Sequence, residues 1–140
     1  MIIGEFHMAN KKQNCNHMKE SILADKSFKF ALKIVKVCQE LNSNREFVLS
    51  KQLLKSGTSI GASVREAQYG QSTADFISKL TIALKESNET EYWLQLLEGS
   101  ALLPVEIAQQ MILFNKELLR MIISTINTSN KNHPPKKPKS

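Results

Sequence analysis

Apolar residues at helical spacing, in long runs separated by connections of only a few residues, constrain this chain more than any other feature. Four such runs follow one another between residues 27 and 126. In the first, residues 27–41, Phe28, Ala31, Ile34, Val35, Cys38 and Leu41 trace one stripe. Asp25 or Ser27 is placed to cap it, and Asn42-Ser43-Asn44 ends it. Lys29, Lys33 and Lys36 fall on its opposite side. The second run, residues 47–69, keeps Leu49, Leu53, Ile60, Val64 and Ala67 in register. Its centre, Ser56-Gly57-Thr58-Ser59-Ile60-Gly61-Ala62-Ser63, is poor helix material, each Gly costing about 1 kcal/mol relative to Ala. No alternation supports a strand there, so the patch predicts a helix approached closely by a neighbouring backbone.

The third run, residues 73–98, opens with Ser72 three residues before Asp75, a variant of the capping box. Phe76, Leu80, Ala83, Ser87, Thr90, Leu94 and Leu97 share one face, and Gly99 suits the position just past the helix. The fourth run starts at Pro104, a residue favoured in a first helical turn. Ile107, Met111, Phe114, Leu118, Met121 or Ile122, and Thr125 continue it to about Asn127. Short connections between long helices make sequential helices antiparallel neighbours. The expectation is an all-α, up-down-up-down four-helix bundle.

The net charge of +6 is unevenly placed. Residues 27–126 carry 11 Lys or Arg against 10 Asp or Glu, whereas residues 127–140 carry four Lys and no acid. The basic balance is thus mostly a property of the tail, where Lys136 and Lys137 sit among Pro, Asn and Ser with nothing apolar to pack. Residues 127–140 are expected to be disordered. At the other end, Gly4-Glu5-Phe6 and His7-Met8 resemble residues that cloning sites leave behind, with Met8 as the native start. Residues 1–26 are expected to be this leader plus a flexible polar segment, leaving 27–126 as the folded domain. There is no signal-peptide pattern and no run of the ~18 apolar residues that a membrane span requires. Cys15 and Cys38 cannot make a disulfide framework. A cytoplasmic protein with free thiols is the expectation.

Bundles often house dinuclear metal sites, which need inward Glu residues and Glu-x-x-His pairs. His7, His17 and His133 all fall outside the four runs, so no metal or cofactor is expected. Nucleophilic catalysis has no base in the same segment. Gly57-Thr58-Ser59-Ile60-Gly61 lacks the Gly-Lys-Ser/Thr of a phosphate loop. No enzyme activity is expected.

Ile82, Glu86, Glu89 and Trp93 form a second face of the third run. Arg65 and Glu66 follow the small-residue patch of the second. Carboxylates packed there would have to find Arg65, Lys79 or a backbone donor, because an unpaired buried charge is costly. Asn88 and Thr90 fit the same polar interior. With Tyr92, Leu96 and Ile77, the apolar arc of the third run exceeds what one core consumes, which points to self-association. Candidate packing and subunit-interface residues are therefore Ser56, Gly57, Ile60, Gly61, Arg65, Glu66, Ile82, Glu86, Glu89 and Trp93.

The stretch from Ser56 to Ala67 and that from Asp75 to Leu94 carry a resemblance. Together with Ser27-Phe28-x-Phe30-Ala31, they resemble the bacterial four-helix-bundle family named for proteins encoded in intervening sequences of large-subunit ribosomal RNA genes. A more distant similarity is to the accessory variability protein of diversity-generating retroelements. The resemblance implies a ring-like homopentamer without enzyme activity, and engagement of nucleic acid or of a reverse transcriptase. The resulting expectation is a non-enzymatic homo-oligomeric scaffold. Its contact with RNA or DNA would run through Lys29, Lys33, Lys36, Lys51, Lys55, Lys136 and Lys137. The alternative is a protein–protein adaptor, such as an accessory subunit of a reverse transcriptase, with no nucleic-acid role.

Overall fold

The computed structural model describes residues 7–134, with side chains from residue 17 onward. Four helices account for nearly all of it: α1 (His7–Ser43), α2 (Phe47–Gln68), α3 (Thr73–Gly99) and α4 (Val105–Asn132). Among the described residues there is no strand. α1 packs on α2 and α4, and α3 packs on the same two, while the diagonal pairs do not meet. Each helix therefore turns one stripe toward a common axis. Leu23, Phe30, Ile34 and Leu41 of α1 meet Leu53, Ile60 and Val64 of α2 there. Leu80, Leu94 and Leu97 of α3 and Leu118 and Ile122 of α4 complete the core. Full burial of each such side chain stabilises by roughly 1.5–3 kcal/mol.

The small-residue patch of α2 is helical and tightly packed. A Cβ on Gly57 would lie 2.8 Å from Cγ1 of Ile34, and one on Gly61 would lie 3.3 Å from the Ser27 carbonyl oxygen. The neighbour that comes close is α1. The α1–α2 contacts pair Cys38 with Ser50, Ile34 with Gly57, Ser27 with Gly61, and Glu20 with Gln68. Numbers fall along α1 as they rise along α2.

Two boundaries differ from expectation. α1 begins at His7, far upstream of residue 27, because the apolar stripe continues through Leu23, which is buried in the core. Polar composition upstream concealed that continuity. Neither Asp25 nor Ser27 is a cap; the Ser27 hydroxyl donates to the Ala24 carbonyl within the helix. α4 runs on to Asn132, so residues 127–132 are helix rather than disordered tail. Residues 1–6, Lys136 and Lys137 lie outside the described residues.

The phase of α1 also differs. Phe30 is fully buried and meets Phe114 edge-on at 5.3 Å, whereas Phe28 is 51% exposed and Val35 38%. At the start of α3 the Ser72 hydroxyl accepts from the Asp75 amide at 3.0 Å, and the Asp75 carboxylate accepts from the Gln71 amide at 3.3 Å. After α3 the left-handed residue is Ala101, at φ 58°, and Gly99 is the last helical residue. Pro104 is the N-cap of α4, not its first turn, and its carbonyl accepts from Ala108.

Candidate interaction surfaces

Polar side chains inside the bundle satisfy one another. The Ser87 hydroxyl donates to Asn115 Oδ1 at 2.8 Å, and Asn115 Nδ2 donates to the Ser87 carbonyl at 2.9 Å. Thr90 and Ser56 hydroxyls lie 3.0 Å apart and join α3 to α2. Ser50 and Cys38 exchange contacts with each other's carbonyls, and burial pushes the Cys38 thiol up from its ordinary pKa. No buried side-chain polar atom among the described residues is without a partner. Among the described residues no cluster of three His, Cys, Asp or Glu is placed to hold a metal ion.

Ser56, Gly57 and Ile60 are buried within the chain, so they are helix-packing residues rather than a surface offered to a second subunit. Ile82, Arg65, Glu66 and Glu89 are on the outside. Glu66 pairs with Lys79 at 3.7 Å. Glu89 accepts from the half-buried Trp93 indole at 3.2 Å. Glu86 is half-buried, and its carboxyl is raised above the ordinary range by burial and by Glu89, against a lowering influence from Lys55. Thr90 is buried as expected, but Asn88 is exposed, one residue out of phase with the interior.

The structure does not gather the candidate lysines onto one surface. Lys29 pairs with Asp25 one turn away at 3.0 Å. Lys33 and Lys36 stand with Glu40 at the seam between α1 and α4. Lys55 stands beside Glu86 at the seam between α2 and α3, on the other side of the bundle. Lys51 is exposed on α2. Of these, Lys29 is the one in an ion pair, and an exposed pair of this kind contributes little to stability.

The more prominent feature is apolar. Phe28, Leu32 and Val35 recur at helical spacing on the outside of α1, and Leu54 of α2 is exposed as well. Beside them runs a groove of about 800 Å³, floored by Thr58, Gly61 and Ala62 and bounded by Phe28, Arg65 and Tyr69. On α3, Tyr92 and Leu96 are exposed one turn apart, and Ile82 is exposed further up the same side, with Lys85 and Glu89 between. Because α1 and α3 are diagonal partners, the two faces look away from each other. The sequence reading found the α3 face but assigned Phe28 and Val35 to the core. The signal it lacked was that α1 carries more large apolar residues than one stripe can hold, with Phe30 and Val37 competing for the inward positions.

No helix among the described residues is long and apolar enough to cross a membrane. No match is found among curated proteins. Among solved structures, the chain is similar to a protein with unknown function from the S23 ribosomal protein family of Bacteroides thetaiotaomicron VPI-5482. The two are 49% identical with a TM-score of 0.76, over 78% of this chain and 98% of that one. The family model for the 23S rRNA-intervening sequence protein matches residues 19–124, which takes in all of α2 and α3, including both specific stretches, and parts of α1 and α4. This chain belongs to the 23S rRNA-intervening sequence protein family.

Proposed function

We propose that the protein is a non-enzymatic scaffold, an up-down-up-down antiparallel bundle whose copies join into a closed ring. The reversed order of the α1–α2 contact pairs supports the topology. The observation that carries the assembly is the pair of unlike apolar faces, Phe28–Leu32–Val35 on α1 and Ile82–Tyr92–Leu96 on α3, pointing opposite ways. Contiguous exposed apolar surface marks interaction sites in soluble proteins. Two different faces on one chain make head-to-tail contacts, and such contacts close into rings when the rotation allows. Five subunits is the number the family resemblance supports.

Leu32→Asp and Leu96→Asp test this directly by multi-angle light scattering. Each variant alone is expected to fall to monomer. An equimolar mixture is expected to recover a dimer, because each variant retains the one face the other lacks. A mixture that stays monomeric while wild type assembles rules out the head-to-tail contact.

A second reading, a protein adaptor in the cytoplasm with no nucleic-acid role, is favoured by one observation. The candidate lysines of α1 and α2 lie on different sides of the bundle. A partner such as an accessory enzyme subunit would then cover the same apolar faces. Pull-down with and without nuclease separates the two readings, since an adaptor's partner survives digestion.

A further inference from the structure

Every carboxylate side chain of this protein lies at or before Glu117. From Leu118 to Ser140 the chain carries Arg120, Lys131, Lys136, Lys137 and Lys139 with no acid at all. α4 holds the first half of that segment in a helix as far as Asn132. Positions 120, 124, 127 and 131 recur at helical spacing, so Arg120, Ser124, Asn127 and Lys131 share one face of α4. All four are exposed and line a single shallow surface. Exposed Lys19 of α1 stands beside Arg120 and Ser124. Thr125, Thr128 and Ser129 continue the surface toward the start of α3.

Lys26, Lys29, Lys79 and Lys116 are tied into ion pairs with acids, whereas Arg120 and Lys131, like Lys33, Lys36, Lys51 and Lys55, have no carboxylate within pairing distance among the described residues. Of the acids around this end, Glu20 lines the neighbouring cavity beside Lys19, and Glu117, one turn before Arg120 on α4, pairs with Lys26.

We infer that the Arg120–Ser124–Asn127–Lys131 face of α4, with Lys19 at its edge, is a contact for the phosphate backbone of a nucleic-acid strand. The chemistry is complementary. Two cations about 16 Å apart along the helix bracket side-chain hydroxyl and amide donors, and phosphate and sugar oxygens take such donors as well as Lys and Arg. No aromatic residue lies on this face, so base stacking is absent and recognition is independent of sequence. This gives the nucleic-acid side of the scaffold reading a surface other than the α1 and α2 lysines, and it does not depend on self-association.

The test is fluorescence anisotropy of the full chain with a labelled single-stranded RNA of mixed sequence, over a salt series. Arg120→Glu combined with Lys131→Glu is expected to weaken binding at least about tenfold and to lower the salt slope by about 2. Lys33→Glu with Lys36→Glu is expected to change affinity less than about twofold. Circular dichroism and light scattering of the α4 variant are expected to match wild type, which separates this outcome from a failure to fold or assemble. RNA binding that is unchanged in the α4 variant, absent in wild type at low salt, or replaced by binding to phosphatidylserine vesicles alone overturns the inference.

Discussion

Gly57 and Gly99 show how much a single missing methyl group depends on its surroundings. A Cβ at Gly57 would press on three atoms of Ile34, itself fully buried and unable to move aside. Overpacking of that kind costs roughly 1–3 kcal/mol, more than the ~1 kcal/mol a helix gains from Ala over Gly. Gly57→Ala is expected to destabilise by about 1 kcal/mol in urea denaturation. At Gly99 a Cβ meets nothing within 4 Å. Gly99→Ala is expected to stabilise by about 0.5 kcal/mol in the same measurement. Glu86 provides a pH-dependent case. The folded chain holds its proton more tightly than the unfolded chain, so its contribution to stability falls as pH rises above the ordinary value of 4.5. Glu86→Gln is therefore expected to be the more stable protein at pH 7, by less than about 1 kcal/mol because water screens the group. The advantage is expected to vanish below the ordinary carboxylate pKa, as thermal melts across pH would show.

At the scale of elements, α2, α3 and most of α4 were legible in the sequence because their core positions keep helical spacing; Ser72 marked the start of α3, whereas Gly99 and Pro104 marked ends only to within a residue or so. The α3 face from Phe76 to Leu97 is half-buried at Phe76 and otherwise buried as its spacing predicts. α1 was less legible for two physical reasons. Its polar upstream composition hid a helix in which Leu23 is buried in the core, and two apolar stripes competed for the core. Asn115 was not visible as a core residue, since an amide is buried only when a specific partner exists, and Ser87 lies 28 positions away. That pair aligns α3 with α4. Asn115→Leu and Ser87→Ala are each expected to cost about 1–3 kcal/mol. Their combination is expected to cost less than the sum, the coupling that a double-mutant cycle in denaturant reads.

For the whole molecule, the candidate sites divide the same way. The α3 apolar face was readable from periodicity. The scatter of the lysines was not, because facing direction depends on which seam each helix joins, and spacing along one helix carries no information about its neighbours. The α1 strip and the α4 cationic face emerge only when four helices are assembled and the core has taken what it needs. What remains outside includes exposed apolar side chains on both α1 and α3, which the proposed ring would cover. Sedimentation equilibrium of the purified wild-type protein at micromolar concentration tests that reading most directly. A single species at a whole-number multiple of 15.8 kDa, dissociated by Leu32→Asp, is the expected result. A homogeneous 15.8 kDa monomer at every concentration would contradict it.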